Sequence, residues 1–166
     1  MIKNFLFIAV FCLAIGACNN SSDKTINNKD SMSHDHHAAV NNPNDPPLPE
    51  IPANAKVFFE NLKDGQSVTS PLKIKMGAEG LSVDTANGIL KPASGHHHIL
   101  INIDSIPAKE VIKKDSVHIH FGNAQTEAEL SLPPGKHTLT LQFADALHRS
   151  YGSRLAHKIT VDVKQQ

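Results

Sequence analysis

The chain has 166 residues, and its 16 Lys and Arg balance 16 Asp and Glu, so neither a basic nucleic-acid surface nor an acidic steering field is expected of it as a whole. Its length holds one ordinary domain and excludes separate cofactor and substrate halves. Eleven histidines, beside one tyrosine, no tryptophan and two cysteines, are the one excess in the composition; histidine both ligates metals and titrates near neutral pH.

Residues 1–17 carry Lys3, an apolar run from Phe5 to Ile15, and then Gly16 and Ala17 ahead of Cys18. This is the anatomy of a signal peptide. The run is too short to cross a bilayer as a helix, which takes about 20 apolar residues. Ile15-Gly16-Ala17-Cys18 resembles the bacterial lipobox, in which the cysteine becomes the lipidated first residue of the mature chain. The expected location is therefore the bacterial cell envelope, periplasmic or surface-facing, with a lipid on Cys18 holding the protein to a membrane. With Cys12 removed and Cys18 modified, no thiol remains to form a disulfide or ligate a metal. Any metal site must then rest on His, with Asp, Glu, Asn or Met as companions.

Residues 18–54 are rich in Asn, Ser, Asp and Pro and lack aliphatic periodicity, which predicts a disordered, lipid-anchored tether. Lys24 and Lys29 stand against Asp23, Asp30, Asp35, Asp45 and Glu50, a balance of −3. The stretch from Pro43 to Pro52 is expected to be stiff and extended. Met32-Ser33-His34-Asp35-His36-His37 reads equally as a metal scavenger of modest affinity or as a solvated polar tract.

From residue 55 to 166 the texture changes to short aliphatic and β-branched runs: 56–60, 70–79, 97–104, 117–121, 126–132, 137–143 and 155–163. Turn signals separate them, namely Lys63-Asp64-Gly65, Ala86-Asn87-Gly88, Pro133-Pro134-Gly135 and Tyr151-Gly152. The predicted fold is all-β, an immunoglobulin-like antiparallel β-sandwich. Period-two alternation turns Leu139, Leu141 and Phe143 inward, and likewise Ile159, Val161 and Val163. Two segments, 80–94 and 107–115, are long for loops of such a fold, and long loops tend to carry function.

The histidines fall on this frame in pairs. His96 and His98 share one strand face, while His97 shares the other with Ile99, Ile101 and Ile103 and is expected to be a buried, hydrogen-bonded structural residue. His118 and His120 share a face opposite Val117, Ile119 and Phe121. If the two strands are neighbours, four imidazoles converge on one ion; if His97 replaces His118, the site lies at a strand end. The bland alternative is two polar strand faces whose histidines meet only water. His148, three residues after Asp145, is a further candidate ligand, with the carboxylate orienting it from behind. His137 and His157 have no clustered partner and stay outside the site.

Lys63-Asp64-Gly65, Gly95-His96-His97-His98, His120-Phe121-Gly122 with Gln125-Thr126, Leu132-Pro133-Pro134-Gly135-Lys136-His137-Thr138-Leu139 and Asp145-Ala146-Leu147-His148 together resemble the bacterial domain-of-unknown-function family 4399. The resemblance covers residues 56–163 and departs after His148, at Arg149-Ser150-Tyr151-Gly152. It implies an exported protein, often a lipoprotein. It brings no established activity.

The leading functional expectation is a membrane-anchored envelope module that binds a transition metal, copper or nearly as well zinc, through His96, His98, His118 and His120. The alternative is a metal-free module that recognises a protein or glycan, its histidines forming a pH-sensitive surface. An enzyme is not expected, because the chain lacks a Gly-x-Ser-x-Gly or His-Glu-x-x-His motif and a carboxylate pair beside the histidines. Nucleic acid is not an expected partner of a neutral chain without a basic stripe.

Overall fold

A computed structural model of the protein describes residues 44–165. The signal peptide, Cys18 and the cluster from Met32 to His37 lie outside the described residues. Nine strands follow in order: β1 (Lys56–Phe59), β2 (Gln66–Thr69), β3 (Leu72–Glu79), β4 (Ser82–Val83), β5 (Ser94–Ile101), β6 (His118–Phe121), β7 (Glu127–Leu130), β8 (Gly135–Ala144) and β9 (Ala156–Lys164). A single turn of 3₁₀ helix, Gly152–Leu155, precedes β9. Among the described residues no helix is long and apolar enough to cross a membrane.

The strands form two layers. One sheet has the order β1-β3-β7, and the other has the order β2-β9-β8-β5-β4, with β6 also on β5. The fold is thus all-β and sandwich-like. Most pairs are antiparallel, but β2 runs parallel to β9 and β4 parallel to β5. Neither β2 nor β4 was expected from the sequence. Gln66-Ser67-Val68-Thr69 is a polar, half-exposed edge that owes its extended form to the end of β9. Ser82-Val83 is a two-residue strand inside the long segment after β3.

The core lies between the layers. Ile74 and Met76 of β3 meet Ile99 of β5, Leu139, Leu141 and Phe143 of β8, and Ile159, Val161 and Val163 of β9. The alternation seen in the last two strands thus does set the buried face, as a pleat of period two requires. Strand β5 is different, because all eight of its residues are buried. Its edges are taken by β8 on one side and by β4 and β6 on the other. Its outer face is roofed by a second apolar cluster, in which Leu100 and Ala144 pack with Ile112, Ile103 and Ile106.

The folded unit reaches further back than the expected boundary at residue 55. Arg149 donates to the carbonyls of Pro46 and Pro47, at 2.5 and 3.3 Å, and Arg154 donates to that of Pro52 at 2.5 Å. The Ala93 amide donates to Glu50, while Leu48 and Ile51 pack against the core. Extended proline-rich chain makes few hydrogen bonds of its own, so its carbonyls can accept from side chains; that of Pro52 accepts from the Ala55 amide as well. Two guanidinium groups therefore hold as a strap a stretch that composition alone reads as linker.

Candidate metal centre

Four imidazoles meet on the outer face of the six-stranded sheet. His98 stands directly across from His120 on one side and Gln142 on the other, and His96 stands across from Ala144. Small neighbours make room for the rings. Ala144 is one; Gly122 is another, since a Cβ there would collide with the ring of His120. His148 completes the group from the loop after β8, with its backbone at φ +64°. Its ring centroid lies 5.0 Å from that of His96, 4.8 Å from His120 and 6.3 Å from His98. The remaining centroid separations are 4.8 Å for His96–His98 and 5.0 Å for both His96–His120 and His98–His120.

Those spacings match the demands of an ion. Nitrogens about 2 Å from one tetrahedrally ligated ion put imidazole centroids about 5 Å apart. Five of the six separations agree, and the potential ligand atoms of His96, His98 and His120 all lie within 4.8 Å of one another.

The hydrogen bonding leaves nitrogen atoms unspent. His96 Nε2 and His98 Nε2 are 2.9 Å apart. One of them donates, so the other ring must carry its proton on Nδ1. Yet the Nδ1 atoms of both rings, like Nε2 of His120, are buried without a hydrogen-bond partner among the described residues. Each such orphan costs about 1–3 kcal/mol. Buried imidazole nitrogens left without partners, on rings whose potential ligand atoms lie within 4.8 Å of one another, are what a purely structural cluster avoids.

Burial keeps the rings neutral. His98 is pushed down to about 2 and His96 to about 3, in both cases first by loss of water and then by the neighbouring imidazoles. His120 is lowered for the same first reason, with His148 and Lys114 adding to it. At neutral pH all three hold their lone pairs ready for an ion.

The loop that carries His148 is fixed by a buried ion pair. The Asp145 carboxylate accepts from the amides of Leu147 and Arg149 at 2.9 and 3.0 Å, and from Arg149 Nε at 2.8 Å. A second contact to Arg149 Nη2 is 2.7 Å, with the two side chains 0% and 4% exposed. The His148 carbonyl accepts from the Ile112 amide and its own amide donates to the Asp145 carbonyl, both at 2.9 Å. Asp145 therefore shapes the turn that presents His148, and does not bond the ring as the sequence reading expected.

Two other expected members stand apart. His97 faces the core, where its ring meets Phe143 edge-on at 5.2 Å. It is buried as expected, but among the described residues neither ring nitrogen has a partner, so the expected hydrogen bond is not found there. Burial holds it down to about 4. His118 does share the face of His98 and His120, since it pairs with Leu100. Its ring turns to Asp115 instead, with Nδ1 2.8 Å from Oδ1. The backbone amide of Val117, and after it His118, holds the Asp115 carboxyl below its ordinary range. His157 accepts from the Phe59 amide at 3.3 Å and His137 donates to the Pro133 carbonyl at 2.9 Å, so both serve local structure.

The molecule is thus a two-layer β-sandwich with a buried cluster of histidines on the outer face of its larger sheet. The chain belongs to the family described as Domain of unknown function (DUF4399), whose model matches residues 74–164 and so takes in all four clustered histidines. No curated protein and no solved structure matches it.

Proposed function

We propose that this domain binds one transition-metal ion through His96, His98, His120 and His148, on a protein exported to the bacterial envelope and held to a membrane by a lipid on Cys18. The observation that carries the metal reading is the close spacing of four rings, three of which, His96, His98 and His120, each keep a buried nitrogen without a hydrogen-bond partner among the described residues. Zinc or copper is the ion such an all-imidazole set suits. A square-planar Cu(II) set would have two long diagonals of about 6 Å, whereas here only the His98–His148 separation is long. The spacing therefore favours Zn(II) or Cu(I). The protein buffers or hands on the ion; His120 and His148, which are only half-buried, form the open side.

The test is metal retention by the untagged protein after desalting, with Zn(II), Cu(I) and Cu(II) offered in turn. The expected result is one ion per chain, lost in the His96→Ala/His98→Ala double variant. Retention of no ion by the folded protein overturns the reading.

A further inference from the structure

Ligands as deeply buried as His96 and His98, both 0% exposed, cannot meet a hydrated ion directly. An ion that reaches them must shed its water in steps, each lost water replaced by a ligand. The outer face of the sheet offers one histidine beyond the four. His118 lies two residues before His120 on β6, which puts it about 7 Å along the same face. Its side chain is 15% exposed, and that of Asp115 is 45% exposed.

Asp115 prepares this ring. Its Oδ1 accepts from the amides of Val117 and His118, each at 2.9 Å, and from His118 Nδ1 at 2.8 Å. A carboxylate only accepts, so Nδ1 carries the proton, and in the neutral ring Nε2 keeps the lone pair. A carboxylate behind one imidazole nitrogen is the arrangement that orients metal-ligating histidines and raises their basicity. Here it is found on the histidine that stands outside the cluster.

We infer that His118, oriented by Asp115, is the entry ligand, the station at which Zn(II) or Cu(I) first exchanges a bound water for an imidazole before passing to His120 and the buried set. The inference rests on the metal reading proposed above. No proton needs to leave in this step, because the Nδ1–H stays on Asp115 while Nε2 gives its lone pair to the ion. A station that is absent from the final ligand set speeds loading and release by the same factor and leaves the equilibrium affinity alone.

The experiment measures zinc loading and release on the full chain by stopped flow, with a fluorescent indicator for loading and excess EDTA for release. The variants are His118→Ala, His118→Gln and Asp115→Asn, with His120→Ala as the contrast. Both rates are expected to fall on the order of tenfold in the His118 variants, the scale on which a supporting group acts, with Kd unchanged. Asp115→Asn is expected to show part of the same slowing. His120→Ala is expected to weaken Kd. Unchanged rates in both His118 variants overturn the inference, and so does a weakening of Kd equal to that in His120→Ala, which would make His118 a resident ligand. A wild-type chain that retains zinc while the His118 variants load at its rate leaves the metal reading standing and removes the station alone; a wild-type chain that retains none removes both.

Discussion

The two faces of β5 carry histidines in equally dry surroundings, and they differ in everything else. On the inner face His97 sets its ring against Phe143, and among the described residues its nitrogens have no partner. On the outer face His96 and His98 have as much burial but meet two more rings, from β6 and from the loop after β8. Burial by itself therefore does not mark a ligand. What would mark one is several ring nitrogens brought within reach of a single ion, and His96, His98 and His120 on the outer face have potential ligand atoms within 4.8 Å of one another.

The largest effect expected from breaking this contrast is loss of metal retention in the His96→Ala/His98→Ala variant, set against full retention in His97→Leu. Next comes Arg149→Gln, which strands the buried Asp145 charge. Losing one partner of such a pair costs about 3–5 kcal/mol in denaturant titrations, and freeing the His148 loop is expected to weaken zinc binding by roughly ten- to a hundredfold. His148→Ala is expected to match that loss of affinity with a smaller loss of stability, which separates the ligand from the device that positions it.

A smaller effect is the response of the metal-free protein to acid. His97 falls from an ordinary value of 6.5 to about 4 on folding, so between those values the unfolded chain binds the extra proton and stability rises with pH. The contribution is complete above pH 6.5 and is lost as the pH falls toward 4; the 2.5-unit gap between those values corresponds to about 3 kcal/mol for this ring. Denaturant midpoints at pH 7.5 and 4.5 measure it, and in His97→Leu the difference between them is expected to shrink. The smallest effect is that of the same His97→Leu substitution at pH 7.5. Removing two unpaired nitrogens in favour of an apolar side chain of similar size is expected to leave stability unchanged or raise it by about 1 kcal/mol.

Much of this was legible in the sequence wherever a residue's role follows from strand period. The alternation through Leu139, Leu141 and Phe143 gave the inner face of β8, and the same rule separated His97 from His96 and His98. It also put His118 with His120. What period cannot report is where a ring turns once it is on the right face. Asp115 captures His118 through a local turn that closes three residues upstream, and the signal, an Asp three residues ahead of a strand histidine, was present in Asp115-Ser116-Val117-His118. His148 was harder to read. Its position depends on a left-handed backbone and on a buried ion pair whose arginine also grips Pro46 and Pro47, far away in sequence. The Asp145–Arg149 pair is local, but the grip on Pro46 and Pro47 is not, and for that reason the proline-rich strap looked like free linker.

X-ray absorption at the zinc edge of the zinc-loaded protein tests most directly whether four imidazoles on one face of β5 and its neighbours hold a single ion. The account predicts four nitrogen neighbours at about 2.0 Å with the multiple scattering of imidazole rings, reduced to three with an added oxygen in His148→Ala. A first shell dominated by oxygen, or the same spectrum after removal of His96 and His98, would contradict it.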